Sequence, residues 1–132
     1  MTAEDQLQIA LLKRFRILHK EKHPNCKVIS NPFSSFKMDV IKMRIAKILG
    51  FEASQPDLLF LQPNSKYIGL ALEIKTIKGN PYLKDGVTLK KNTHLENQQK
   101  YLKELESVGY YATFGVGFEH CAKIIDKYFE IV

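Results

Sequence analysis

Apolar residues recur along the chain with two periods, and these periods predict an alternation of helices and strands. Near the start they return every three or four positions, which predicts an amphipathic helix. Its buried stripe comprises Leu7, Ala10, Leu11, Phe15 and Leu18. The preceding Thr2-Ala3-Glu4-Asp5 has the form of a capping box. A second helical pattern, ended by Gly50, comprises Phe36, Val40, Met43, Ile45, Ile48 and Leu49.

Shorter apolar runs between these helices predict strands. Lys27–Ser30 is a candidate first strand before the turn Asn31-Pro32, and Leu58–Leu61 and residues 67–74 form a pair around a turn with Pro63, Asn64 and Ser65. A helix over residues 95–108, a strand at Tyr110–Val116 and a closing helix over residues 118–129 follow. This order predicts one α/β domain over residues 1–132, with a mixed sheet flanked by helices.

Within the strand at residues 67–74 the side chains alternate between two faces. Ile68, Leu70, Leu72 and Ile74 are predicted to face the core. The other face carries Glu73 and Lys75 beside Tyr67 and the small residues Gly69 and Ala71. We therefore expect an open floor beneath the two charged residues.

Composition narrows the class of protein. The chain has 132 residues, 45% of them hydrophobic, and a formal net charge of +6, which favours a polyanionic partner. Its two cysteines do not form a disulfide framework, and no apolar run approaches the length of a membrane span. We expect a soluble intracellular protein. The lack of a glycine-rich phosphate loop argues against an ATPase.

The candidate chemistry lies between residues 55 and 75. Asp57 opens the first strand of the pair, and Glu73 and Lys75 end the second. Carboxylate oxygens are the ligands that Mg²⁺ prefers, and a lysine beside them can position water or stabilise a phosphate. A salt bridge among the same three residues is the competing interpretation.

Two polar residues on helical stripes are further candidates. Glu4 shares the stripe of the first helix, where it either stabilises the helix N-terminus or points to the site of Asp57. Gln98 lies in the middle of the stripe of the third helix. A buried amide needs partners, and we expect Gln98 to reach the site.

Lysines and arginines cluster in two places that suit phosphate contacts. Lys13 and Arg14 lie on the first helix, and residues 76–93, hereafter the basic loop, carry Lys78, Lys84, Lys90 and Lys91. Asp85-Gly86 is a turn that closes a small hairpin. The basic loop, which also bears Tyr82, is a candidate substrate clamp, a dimer-forming arm or a disordered segment.

The remaining candidates for chemistry are a group of two histidines and a cysteine after the first helix, and a second cysteine near the end of the chain. His19, His23 and Cys26 suggest a zinc cluster, but no companion Cys or His pair follows, and loop histidines are the default interpretation. Cys121 is expected to be a small buried hydrophobe. The last third of the chain gives no indication of chemistry.

Taken together, these residues resemble the PD-(D/E)XK nuclease superfamily, and more narrowly its virus-type replication-repair nuclease (VRR-NUC) domain. The likeness is carried by Glu4 and Gln8, by Gln55-Pro-Asp-Leu-Leu-Phe-Leu, by Tyr67-Ile-Gly-Leu-Ala-Leu-Glu-Ile-Lys and by Gln98 with Tyr101-Leu102. It spans nearly the whole chain. One departure is Gln55, where the family often has glycine; the length of the basic loop is another.

The resemblance implies a restriction-endonuclease-like core and a DNA endonuclease that uses Mg²⁺ or Mn²⁺ and acts on branched DNA such as flaps or Holliday junctions. The implied metal ligands are Asp57, Glu73, the backbone carbonyl of Ile74, and Glu4 directly or through water. Lys75 and Gln98 complete the implied catalytic set. Stand-alone members of phages and viruses are expected to be homodimers. A non-cleaving DNA-junction-binding module and a basic interaction domain are the alternatives.

Overall fold

The chain forms a mixed four-stranded sheet with helices on both faces. In a computed structural model that describes residues 1–31 and 39–132, the order is α1 (Ala3–Leu18), β1 (Lys27–Ser30), α2 (Val40–Ile48), β2 (Leu58–Leu61), β3 (Gly69–Lys75), α3 (Thr93–Ser107), β4 (Tyr110–Val116) and α4 (Gly117–Glu130). The predicted fold class and element order are confirmed. The expected positions Pro32, Phe36 and Lys37 lie outside the described residues.

The sheet follows the chain in its strand order, β1-β2-β3-β4. β1, β2 and β3 pair antiparallel, and β4 lies parallel to β3, with α3 as the crossover. β3 is paired with β4 along its whole length and with β2 from Leu70 to Leu72. Such a strand can hold polar side chains at its end in a fixed position.

One face of the sheet packs against α1 and α4. The main core cluster holds Leu70, Leu72 and Ile74 of β3 together with Leu11 and Phe15 of α1, all buried. α1 begins with the predicted capping box, in which Thr2 and Asp5 exchange hydrogen bonds between side chain and backbone. The predicted stripe ends sooner than expected, because Leu18 in the last turn is exposed.

The other face packs against α3, and here the expectation of an open floor was wrong. Ala71 is fully buried in a second cluster with Leu102, Ala112 and Phe114, so both faces of β3 are covered. Small residues allow this close approach: a Cβ on Gly69 would lie 2.7 Å from the Tyr110 ring.

The start of β3 also differs from the prediction. Ile68, expected in the core, is 52% exposed, because the strand begins at Gly69, two residues later than predicted, and Ile68 lies before it. Tyr67 lies before the strand and packs against the α1–α4 side, not on the face of Glu73. Its backbone N–H is held instead by the Asn64 side chain in the preceding turn.

α2 is the element that packs least. Its predicted stripe is mostly exposed, and within the described residues of α2 only Ala46 is buried. The exposed apolar side chains of α2 and its C-cap are Val40, Ile41, Ile45, Ile48 and Leu49. α2 contacts no other helix or strand of the described chain. Among the described residues, no helix combines the length and apolarity needed to cross a membrane.

Candidate functional site

Four polar side chains are buried together where the β2–β3 pair ends. Asp57, Glu73, Lys75 and Gln98 are 4–8% exposed in an otherwise apolar interior. Burying such groups is unfavourable unless they are paired, so a cluster of this kind indicates a function beyond folding.

Asp57 is held in place by the backbone around it. The β2–β3 register ends at Leu58 and Leu72, and beyond it the Oδ2 of Asp57 accepts a hydrogen bond from the Ile74 N–H at 2.7 Å. On the other side the Asp57 carbonyl accepts from the Asn31 N–H at 3.0 Å. The carboxylate thus takes the place of a missing strand residue, which fixes it beside β3.

This hydrogen bond also orients the Ile74 carbonyl. The N–H and C=O of one strand residue point to the same neighbouring strand. Because the Ile74 N–H points to Asp57, its carbonyl oxygen lies on that side too, beyond the last paired residue of β2. The carbonyl and the two carboxylates therefore converge.

Glu73 is oriented by a side chain of α3. The Nε2 of Gln98 donates to the Oε1 of Glu73 at 2.9 Å. The helix that carries Gln98 starts with Asn92, whose side chain accepts from the Leu95 N–H at 3.1 Å. Gln98 is thus in the buried position that the helical period predicts.

Gln98 donates to only one of the two carboxylate oxygens of Glu73. Among the described residues, no donor group apart from the neighbouring Asp57 carboxyl reaches Glu73 Oε2, and Gln98 Oε1 is buried without a hydrogen bond. Glu73 and Asp57 lie within hydrogen-bonding reach of each other, so the two carboxyl groups can share one proton. Lys75 does not satisfy Glu73: its Nζ lies 4.0 Å from Oε1, too far for a hydrogen bond, and 5.9 Å from the Phe114 ring centre. The salt-bridge interpretation therefore leaves a buried acceptor unexplained.

The two carboxyl groups oppose each other's ionisation. Burial raises the pKa of Glu73 well above its ordinary value, and the nearby charge of Asp57 raises it further. Burial likewise raises the pKa of Asp57, although the Ile74 hydrogen bond works in the other direction. A cation that replaced the shared proton would relieve both effects.

Glu4 approaches this group from the start of α1. Partial burial raises the pKa of Glu4, and its charge interacts with Lys75, Asp57 and His94. Among the described residues, no three His, Cys, Asp or Glu side chains form a group that could hold a metal ion. A contact between Glu4 and a metal, direct or through water, stays a prediction. His94 at the start of α3 was not among the predicted site residues, although it lies one helical turn before Gln98 on the same stripe.

The donor set nevertheless fits a hard divalent ion. Two carboxylates and a backbone carbonyl are oxygen ligands, and Mg²⁺ usually keeps several waters in its remaining positions. The Glu73 Oε2 that Gln98 does not reach is an acceptor that such an ion would satisfy. Asp57, Glu73 and the Ile74 carbonyl are thus the residues that would hold it.

The predicted phosphate contacts fall into two groups. Lys13, Lys78, Lys84, Lys90 and Lys91 are exposed. Arg14 instead makes a two-pronged ion pair with Asp126 of α4, with both N···O distances 2.6 Å, and His19 joins the same carboxylate at 2.7 Å. Arg14 therefore connects α1 to α4, and His19 does so as well.

The basic loop forms a small hairpin. Tyr82 and Leu89 form an isolated antiparallel bridge, and Asp85-Gly86 lies at the hairpin tip, where Gly86 has a φ of 71°. Tyr82, considered above as part of a clamp, is half-buried with its ring edge against Phe114. It anchors the hairpin and leaves the lysines outside.

A solved structure supports the resemblance at the level of the fold. It is a VRR_NUC domain protein that superposes with a TM-score of 0.67, covers 99% of this chain and 91% of that chain, and is 20% identical in sequence. The chain has the VRR_NUC fold. No family model matches the sequence. No curated protein matches it either.

In this chain the buried cluster lies at the end of the β2–β3 pair. The element order that the sequence predicted, and the resemblance drawn from Asp57, Glu73-Ile74-Lys75 and Gln98, thus agree with the solved structure in fold. At this level of identity the likeness concerns architecture. It does not show the chemistry of the site.

Proposed function

We propose that this protein is a divalent-metal-dependent endonuclease that hydrolyses phosphodiester bonds in DNA. The observation that carries the proposal is the buried Oε2 of Glu73, which no described donor group apart from the Asp57 carboxyl reaches, in a cluster that also contains Lys75 and Gln98. A VRR_NUC fold and a net charge of +6 support it.

Each buried residue has a role in such a reaction. Asp57, Glu73 and the Ile74 carbonyl would bind Mg²⁺ or Mn²⁺, which when bound lowers the pKa of a coordinated water and polarises the phosphate. Gln98 holds Glu73 through its hydrogen bond to Oε1. Lys75, with its Nζ 4.0 Å from Glu73, is free to orient the attacking water or to stabilise negative charge on the phosphate.

We propose branched DNA, a flap or a four-way junction, as the substrate. The basic loop connects β3, which carries Glu73 and Lys75, to α3, which carries Gln98. Its hairpin therefore lies next to the cutting site and exposes Lys84 near the tip. Such a projection can contact a second duplex arm, and its phosphate contacts carry no sequence preference.

A cleavage panel tests the proposal. Linear, flap and four-way-junction DNAs are incubated with Mg²⁺ or Mn²⁺ and wild-type protein, Glu73→Gln or Asp57→Asn. Glu104→Gln, at an exposed position on α3, is the matched control. We expect cleavage by wild type and the control, strongest on branched DNA, and none by the site variants.

The same panel separates the competing functions. Tight junction binding by wild type without cleavage under either ion would indicate a non-cleaving junction-binding module. Equal cleavage by wild type and both site variants would show that the nuclease activity does not use this site.

A further inference from the structure

A second cavity lies on the opposite face of the sheet from Glu73 and Lys75. It has a volume of about 390 Å³ and is lined by residues from the turn before β3, from β4 and from α4. Small-molecule sites occupy roughly 300–1,000 Å³, so its size suits one nucleotide and not a duplex. The metal-site residues do not line it.

The lining combines positive charge with aromatic rings. Lys66, Lys123 and Lys127 contribute three ammonium groups, and the described residues of the lining include no Asp or Glu. Tyr67 and Tyr111 contribute rings that meet edge to face at 5.2 Å. Lysine binds phosphate as a point charge, and an exposed tyrosine ring offers a stacking surface for a base.

Hydrogen bonds hold the two walls of this cavity together. Asn64 accepts from the N–H groups of Lys66 and Tyr67, and its own Nδ2 donates to the Tyr128 carbonyl on α4 at 3.2 Å. The Tyr128 hydroxyl in turn donates to the Gln62 carbonyl. The cavity is therefore built by the fold and does not depend on mobile side chains alone.

His120 adds a directed donor. Its Nδ1 accepts a hydrogen bond from the Val116 N–H at 2.9 Å, which leaves the proton of a neutral ring on Nε2. Because His120 lines the cavity, this Nε2–H is a donor for an anionic group.

A neighbouring cavity extends the surface. It has a volume of about 350 Å³ and shares Lys66, Tyr67 and Tyr111 with the first, and its lining also includes the carboxylate of Glu106. The two tyrosines thus border both spaces, an arrangement that suits a flexible strand passing from one nucleotide to the next. The β4 register places Tyr111 three residues from Phe114, the partner of Glu73, or about 10 Å along the strand.

We propose that this cavity binds a nucleotide of a single DNA strand, with the lysines and His120 on the phosphate and Tyr111 against the base. This binding does not require the metal site, so it can be tested separately from cleavage. A strand bound here would lie on the other face of the sheet that carries the proposed cutting site.

The test is binding of a fluorescent oligothymidine in a chelating buffer that prevents cleavage. Wild type is compared with two pocket variants, Tyr111→Leu and the double variant Lys123→Ala/Lys127→Ala. Lys100→Ala/Lys103→Ala on α3 is a control that removes the same charge as the double variant. We expect the pocket variants to bind about tenfold or more weakly, given what stacking and phosphate contacts contribute. The control should bind like wild type.

Competitors identify what the cavity recognises. Thymidine monophosphate should displace the oligomer, and amide NMR shifts on titrating this nucleotide into wild-type protein should map to α4 and residues 66–67, a readout that needs no variant. Unchanged affinity in the pocket variants would overturn the proposal. So would equal displacement by inorganic phosphate, which would mean an anion site without base recognition, or stronger displacement by an acidic peptide, which would mean a protein ligand.

Discussion

At the scale of the residue, the central feature is a pair of buried carboxyl groups that the fold holds close together. Asp57 is fixed by the Ile74 N–H, and Glu73 by Gln98. Neither can turn away from the other without breaking a buried hydrogen bond. Protein stability and metal affinity should therefore both depend on the proton that this pair retains.

The first prediction concerns pH. Because the pKa of Glu73 is raised in the folded state, this group contributes stability that is full below its unfolded value of 4.5 and is lost as pH rises toward its folded value. Melting temperature of metal-free protein should thus fall from mildly acidic to mildly alkaline pH. Added Mn²⁺ should offset the fall, most strongly at alkaline pH, where the carboxyl groups release their proton more readily.

Replacing the carboxyl group tests the same cause. Glu73→Gln removes the ionisation, so metal-free protein at alkaline pH should gain roughly 1–3 kcal/mol in unfolding free energy. Its pH slope should flatten, and Mn²⁺ should no longer stabilise it. A slope equal to that of wild type, measured by thermal or urea unfolding, would contradict a buried proton on Glu73.

Gln98 should act through Glu73. Gln98→Leu keeps the size of the side chain and removes the donor to Oε1. Groups that orient a metal ligand commonly contribute about 10- to 100-fold in affinity or activity. We expect a loss of that size in Mn²⁺ affinity by calorimetry, with DNA affinity in chelator unchanged. Gln99→Leu, one residue further along α3, is the control.

At the scale of the element, the basic loop shows what periodicity can and cannot predict. Its Asp-Gly turn was recognisable from sequence, because this dipeptide favours the backbone of a tight hairpin. The role of Tyr82 was not, since an aromatic residue in a loop is equally compatible with substrate contact and with burial. The contact between the rings of Tyr82 and Phe114 indicates that Tyr82 anchors the hairpin.

The loop lysines should set the salt dependence of DNA binding. Each phosphate contact on a duplex contributes about 0.9 to the slope of log affinity against log salt. Replacing Lys78, Lys84, Lys90 and Lys91 with alanine should therefore reduce the slope, with affinity measured on a junction across a range of salt concentrations. Lys100→Ala/Lys103→Ala removes lysines outside the loop, and the two variants are compared per lysine removed. An equal reduction per lysine in both would mean that the loop has no special part in binding.

Arg14 should behave as a structural residue. Its two hydrogen bonds to Asp126 connect α1 and α4. Arg14→Ala and Asp126→Ala should each lower unfolding free energy by about 1 kcal/mol, and the double variant by less than their sum. Lys13→Ala should change stability little. If Arg14→Ala weakened DNA binding and left stability unaltered, the result would support the phosphate contact that was expected from the sequence.

At the scale of the molecule, the bounds of several elements were predictable from the sequence, and the packing between elements was not. The bounds of β1, β2 and β4 agree with the sequence prediction, since each is a short apolar run between turn residues. The covered floor under Glu73 depends on which helix crosses which face. The cavity lined by Lys66, Tyr67 and Tyr111 was missed, because its lining residues come from three elements and none stands out alone in the sequence.

The exposed face of α2 bears on assembly. Ile41, Ile45 and Ile48 recur at helical spacing, and large apolar patches on soluble proteins commonly mark association sites. We propose that two copies of the chain meet here, because a single helix face can contact its own copy about a two-fold axis. This surface would pair two cutting sites, as cleavage of two strands of a junction requires.

Analytical ultracentrifugation tests the association. Wild type should sediment as a dimer that dissociates on dilution, whereas Ile45→Asp/Ile48→Asp should be monomeric with an unaltered circular dichroism spectrum. Aspartate is chosen because unpaired charges are strongly disfavoured in an apolar interface. Lys47→Asp, on the same helix and exposed, controls for the added negative charge. A wild-type monomer at high concentration would refute dimerisation, and a dimer that survives the double variant would move the interface elsewhere. In the first case junction cleavage should proceed by independent nicks, visible as singly cut intermediates.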